Sequence, residues 1–239
     1  MKPELNDSNF EFPSWVAEIG QRIAWILLTP IFKFFLHFEV RGKENLENVS
    51  TNVIFALNHI SEMDALMPSC AFNIFSKHIP IYCVALKRKY YKEQNTTRSF
   101  FYRPWLFSFI GAYSVEKGIK DFDQSLSRHI EFLRKGKNVE IFPEGKVKRN
   151  DNPAEIRGGV VALVKATGLP VIPIYLSGHG NTSASDFFLR KRYSILTFGK
   201  PIYPEEIFAG YDDATPENFS KIAEERIMKK ILEIPNSKK

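Results

Sequence analysis

The chain has 239 residues, a formal net charge of +6 and 44% hydrophobic side chains. That length fits one large domain or one domain with a small appendage, and the apolar fraction excludes a disordered chain. A basic balance admits nucleic acid, anionic lipid or phosphorylated substrates as partners. With no Cys/His finger, no RNP-like aromatic pattern and no heptads after a basic run, no nucleic acid is expected and lipid phosphate is favoured.

The chain begins with an acidic, polar stretch that is no secretory signal. Trp15–Phe38 is strongly apolar, but it carries Glu18, Gln21, Arg22 and Lys33, and Pro30 interrupts it. Its longest uncharged run, Ile23–Phe32, is about half of the roughly 20 residues that a membrane span requires. Residues 1–39 are therefore expected to form one or two helices, drawn as a hairpin, lying in the membrane interface. Trp15 and Trp25 would sit near headgroup level, with Arg22 and Lys33 facing anionic lipid. A helix packed on the domain would carry the same composition. The 21 Phe residues, several of them near the N-terminus, suit both a lipid-facing surface and a core.

From residue 40 to 239 short apolar runs alternate with helical patterns, which predicts an α/β domain with a mainly parallel sheet flanked by helices. The expected strands are Val53–Leu57, Ile81–Leu86, Ala112–Val115, Val139–Phe142, Val171–Leu176 and Tyr193–Phe198. The expected helices are Asp121–Arg134, closed by Gly136, then Ile156–Ala166 and Asn218–Leu232. Long loops are expected at residues 87–99, 146–155 and 179–189. Cys70 and Cys83 lie in apolar stretches without metal-ligand spacing and read as buried free thiols, with no metal and no resident cofactor.

In such sheets chemistry gathers at the carboxyl ends of strands. Asn58-His59, Glu116-Lys117 and Pro143-Glu144-Gly145 all follow expected strands directly. An alcohol attacking an acyl group needs a base, and imidazole serves when a carboxylate fixes its tautomer. His59 and Asp64 are such a pair. Five positions along one helix point about 140° apart, so the two meet only if His59 sits in a turn before the helix. Ser61-x-x-Asp64 resembles a capping box, which permits that turn and equally admits Asp64 as a plain cap. Lys117, after a glycine-flanked strand, offers a point charge for phosphate or is simply solvated. Glu144, Gly145, Lys146, Lys148 and Arg149 form a turn with cations that suits a headgroup or a basic loop. Arg157-Gly158-Gly159 opens a helix whose N-terminus suits an anion or close packing. Pro173 inside a strand marks an irregular strand beside a pocket, or an edge strand.

In combination and order these blocks resemble the glycerolipid acyltransferase family, the 1-acylglycerol-3-phosphate acyltransferase group, from about Val40 to Tyr203. The family's blocks are Asn-His-x4-Asp, Gly-x-x-(Phe/Ile)-(Ile/Val)-x-Arg, Phe-Pro-Glu-Gly-Thr-Arg-Ser and Val-Ile-Pro-(Val/Ile). The resemblance implies acyl transfer from acyl-CoA or acyl carrier protein to a lysophospholipid hydroxyl, on the cytoplasmic face of a membrane, by a peripheral or monotopic protein. It implies His59 as base, Asp64 as its partner, and block three as the holder of the acceptor's glycerol phosphate, with Asn58, Lys117, Glu144, Gly145, Lys146, Lys148, Arg149 and Arg157 as substrate contacts. Two arginines of the pattern are replaced, by Lys117 and Val147, so point charges stand where bidentate forks are expected. The favoured acceptor is 1-acylglycerol-3-phosphate. Rival readings are a CoA-independent phospholipid transacylase and a catalytically silent lipid-binding homologue.

Overall fold

A computed structural model describes residues 12–49, 51–86, 104–115, 121–147, 155–211 and 213–236. The seven strands described are β1 (Glu39–Arg41), β2 (Ile54–Leu57), β3 (Ile81–Leu86), β4 (Ala112–Val115), β5 (Asn138–Ile141), β6 (Val171–Ser177) and β7 (Ile195–Phe198). The main helices are α1 (Ser14–Phe35), α2 (Met67–Cys70), α3 (Pro104–Phe109), α4 (Phe122–Arg134), α5 (Gly159–Thr167), α6 (Ala184–Phe188), α7 (Pro204–Ile207), α8 (Phe219–Ile222) and α9 (Lys229–Glu233), with a π-helical turn at Ala223–Met228 joining the last two.

The strands form one sheet in the order β1-β7-β6-β2-β5-β3-β4. Every pairing is parallel except β6 with β7. This is the expected α/β architecture. The short edge strand β1 is an addition to it, and α6 occupies part of the expected loop at 179–189. The expected loop at 87–99 lies outside the described residues.

Parallel strands covered on both faces must be apolar on both. In β2, Ile54 and Ala56 point into a core shared with α4, α5 and the C-terminal helices. Phe55 and Leu57 point the other way, into a core shared with α1 and α2. Asp121 caps α4 by accepting from the Gln124 amide at 3.1 Å, and Gly136, at φ +77°, turns the chain out after it. β6 is an interior strand. Pro173 sits where its pairing with β7 goes out of step, between Ile174↔Phe198 and the isolated bridge Val171↔Ile202. Two residues on β6 there, Ile172 and Pro173, oppose three on the neighbouring segment, a bulge, and Pro173 still joins the pairing through its carbonyl, which accepts from the Gly199 amide at 2.8 Å.

Among the described residues the N-terminal segment forms no hairpin. Described residues 14–35 are one continuous 22-residue helix that runs through Pro30. Buried Thr29 and Phe32, on either side of that proline, keep both halves packed on the domain despite the lost helical bond. Gln21 is also buried and holds both backbone groups of Ile81, donating to its carbonyl at 2.6 Å and accepting from its amide at 2.9 Å. Trp25 donates to the Phe72 carbonyl at 2.9 Å, and Arg22 to that of Ile74. Trp25 and Arg22 thus face the protein and not lipid headgroups; Trp25 lies four positions after Gln21 and three after Arg22, on the same side of the helix. Lys33 is exposed, as expected. On the opposite face Trp15, Ile19, Ile23, Ile26, Leu27 and Phe34 are exposed. Among the described residues no helix is long and apolar enough to cross a membrane.

Candidate active site

Three neighbouring parallel strands, β6, β2 and β5, end side by side, and their carboxyl ends carry the candidate site. β2 stops at Leu57. Asn58 then replaces the next backbone rung with its side chain, donating to the Leu176 carbonyl at 2.9 Å and accepting from the Leu176 amide at 2.7 Å. Its side chain is therefore bound to β6 through one donor and one acceptor. A primary amide carries a donor and an acceptor like a peptide group, so it extends the ladder where the main chain turns away.

In that turn His59 Nδ1 lies 3.0 Å from Asp64 Oδ2. The same oxygen accepts from the amides of Ile60 at 2.7 Å and Ser61 at 2.8 Å. One oxygen, Oδ2, both pins the turn and meets the imidazole. Asp64 itself opens a short 3-10 turn ahead of α2. The His59 ring stacks on Phe142 with centroids 4.0 Å apart, which fixes its plane. Its side chain remains 16% exposed, and among the described residues Nε2 has no hydrogen-bond partner. The ring is thus oriented on one edge and open on the other.

Asp64 is fully buried. Burial pushes its carboxyl up, yet hydrogen bonds from His179 and His59 outweigh this and hold it below the ordinary aspartate range. His179 was missed by the sequence reading. Its Nε2 lies 2.7 Å from Asp64 Oδ1, on the side away from His59. The available signal was positional: a histidine three residues beyond the expected end of a strand, much as His59 is two beyond the end of β2.

From β5, Gly145 takes φ +63° and donates to the Phe142 carbonyl at 2.9 Å, closing a tight Pro-Glu-Gly turn. A Cβ on Gly145 would lie 2.8 Å from Arg157 Cδ, so the arginine stem lies over this turn. Arg157 donates its amide to Pro143 O at 2.8 Å and its guanidinium to Glu155 at 2.9 Å. Glu144 is buried, and its Oε1 accepts from the His59 amide at 3.4 Å. The structure thus brings together Asn58, His59, Asp64, Glu144, Gly145 and Arg157. Lys146 is exposed beside them. Lys117, Lys148 and Arg149 lie outside the described residues. On the β6 side of the turn an open cleft of about 340 Å³ is lined by Ile60, Leu176, Gly178, Gly180 and Arg192.

Both cysteines are free and buried, as expected; burial lifts the Cys70 thiol to about 11 and the Cys83 thiol well above its ordinary value.

Known proteins resemble the chain in sequence and in fold. The family model described as Acyltransferase matches residues 37–177. A chloroplastic 1-acyl-sn-glycerol-3-phosphate acyltransferase of Brassica napus is 26% identical over 90% of this chain and 56% of its own length. A 1-acyl-sn-glycerol-3-phosphate acyltransferase of Borreliella burgdorferi is 24% identical over 88% of this chain and 80% of its own. The chain therefore spans just over half of the plant relative and four fifths of the bacterial one. The crystal structure of the 1-acyl-sn-glycerophosphate (LPA) acyltransferase PlsC from Thermotoga maritima superposes with a TM-score of 0.52 at 17% identity, covering 92% of this chain and 79% of that one. It shows the same fold.

Proposed function

Because the chain belongs to the acyltransferase family, we propose that this O-acyltransferase moves a fatty acyl group from an acyl thioester, acyl-CoA or acyl carrier protein, to the free hydroxyl of a lysophospholipid. The favoured acceptor is 1-acylglycerol-3-phosphate, giving phosphatidic acid. The observation that carries the reading is the His59–Asp64 contact at 3.0 Å beside an imidazole edge that is open to a substrate.

The acceptor hydroxyl donates to His59 Nε2. The ring takes its proton as the oxygen attacks the thioester carbonyl, and Asp64 stabilises the imidazolium that forms. The tetrahedral intermediate collapses with loss of thiolate, a good leaving group that needs no strong acid. No covalent intermediate on the protein is formed. Lys117, Lys146 and Lys148 are assigned to the phosphate as point charges. Glu144, which receives the His59 amide, is assigned to bracing the catalytic turn against the block-three turn. Incubating the chain with one acyl-CoA and a panel of lysophospholipids, read by mass spectrometry, tests acceptor and reaction together. Turnover without thioester would turn the reading into a transacylase, and a fully active His59→Ala protein would sink the mechanism.

The second proposal is peripheral attachment to a membrane through the exposed face of α1. Its apolar stripe ends at Phe34, where Phe35 stacks on Phe187 of α6 at 5.0 Å. Exposed Phe188 and Leu189 prolong the apolar surface, and Arg190 lies over the Phe34 ring at 4.2 Å. Apolar side chains edged by Lys33, Arg190 and Lys191 suit an anionic bilayer surface. In sedimentation with phosphatidylglycerol vesicles, Ile26→Glu is expected to weaken binding about tenfold or more, since a charge replaces a buried apolar contact. Unchanged binding removes α1 from the attachment surface.

A further inference from the structure

Asp64 has two imidazole neighbours, and acyl transfer by His59 uses only one of them. His179 lies two residues after β6, 115 residues along the chain from Asp64. It is fully buried, and its 2.7 Å contact with Asp64 is shorter than the 3.0 Å contact of His59. Its other nitrogen, Nδ1, lies 2.8 Å from Ser194 Oγ and 3.3 Å from the Ser177 carbonyl. Ser194 is held in turn: its amide donates to Leu36 O at 2.7 Å, and its carbonyl accepts from Glu39 at 2.9 Å. Gly178, at φ +88°, lets β6 press on this segment; a Cβ there would lie 1.7 Å from Tyr193 O.

One role follows from counting protons. An ionised carboxylate only accepts, so Nε2 of His179 carries the hydrogen shared with Asp64 Oδ1. The Ser194 hydroxyl, which also lies 3.6 Å from Met67 Sδ, and the Ser177 carbonyl hold the other edge of the ring in place. The two carboxylate oxygens divide the work: Oδ1 takes His179, while Oδ2 takes His59 and the amides of Ile60 and Ser61. Among the described residues Oδ1 has no other donor. Without His179, a buried oxygen either takes up a proton or swings toward another donor, and both outcomes loosen Oδ2 from His59.

We propose that His179 is a positioning residue of the acyl-transfer site, keeping Asp64 ionised and turned toward His59, with Ser194 helping to hold its ring. The substrate proton goes to His59 alone, and no bond to the acyl group forms at His179. The proposal rests on His59 being the base.

The test uses the full chain, oleoyl-CoA and whichever lysophospholipid of the panel is turned over. His179→Leu is expected to lower kcat about ten- to a hundredfold, with KM for both substrates within about twofold. His179→Gln places an N–H donor near the position of Nε2 and is expected to recover to within about fivefold of the parent. His179→Asn, whose donor falls short of Asp64, is expected to stay low. In an Asp64→Asn background, His179→Leu should add no further loss, because its action runs through that carboxylate. A folded His179→Leu protein with kcat within about twofold of the parent overturns the proposal, as does an additive loss in the Asp64→Asn background. If the leucine variant does not fold, the Gln and Asn variants decide: equal rates overturn it. Full activity in His59→Ala would instead place the failure in the assignment of the base.

Discussion

Two carboxyl groups are buried in neighbouring parts of the sheet and meet opposite fates. Asp64, at the end of β2, is fully buried yet held below the ordinary aspartate range by two imidazoles. Glu140, in the middle of β5, is 1% exposed, with its Cα level with Phe55 on one neighbour and Cys83 on the other. The group that faces it is the Cys83 thiol, a weak donor, and burial drives its carboxyl well above the ordinary glutamate range. Burial costs both groups. Donors decide which one stays charged, and donors are available where strands end and chains turn. Mid-strand, the backbone groups are already committed to the ladder.

The contrast is broken most directly at Asp64. Asp64→Asn keeps the shape and removes the charge, so the His59 imidazolium loses its partner. A fall in kcat of about a thousandfold or more is expected, read by steady-state acyl transfer. The two groups also predict opposite pH signatures. A depressed folded pKa stabilises the fold above the unfolded value of about 3.9 and loses that contribution as pH falls. The Asp64→Asn variant should therefore show a flatter acid limb in thermal melts.

Glu140 works the other way. Its folded pKa is raised, so the folded chain holds a proton that the unfolded chain gives up above about pH 4.3. The parent should lose stability as pH rises beyond that value, with a slope of at most about 1.4 kcal/mol per pH unit. Glu140→Leu should remove the slope and raise the melting temperature more at pH 8 than at pH 5. Equal gains at both pH values would show that the carboxyl is charged in the folded chain.

Glu144 provides the mildest test. It is buried at a strand end like Asp64, and it accepts from the His59 amide. Glu144→Gln keeps an acceptor there and should leave kcat within about fivefold of the parent, whereas Glu144→Ala should cost more. Parity between the two variants would exclude bracing through that hydrogen bond.

Much of this was legible in the sequence because strands and blocks are local. The six β-branched or aromatic runs became β2 to β7, and the five-residue spacing of His59 and Asp64 became a contact because β2 stops at Leu57. β1 was not legible, since three residues at a sheet edge carry too short a pattern. His179 and the Asn58 staple were hidden for another reason: their partners lie 115 and 118 residues away, and only the parallel pairing of β2 with β6 brings them together. The membrane hairpin misread α1 because composition does not say which face of a helix is covered. The burial of Gln21, with Arg22 and Trp25 turned to the same side, settles that.

Asn58 has one more consequence. Its side chain supplies the final rung between β2 and β6, so the main chain leaves the sheet one residue before the hydrogen bonding stops. The turn that carries His59 is therefore anchored by a side chain that adds nothing to its own main-chain hydrogen bonds. In deuterium labelling the Leu176 amide should exchange as slowly as the strand centre, reporting the integrity of the turn from the strand beside it. Asn58→Asp would leave that amide an acceptor but set oxygen against oxygen at the Leu176 carbonyl. The turn would then come loose at one atom, with its own sequence otherwise unchanged.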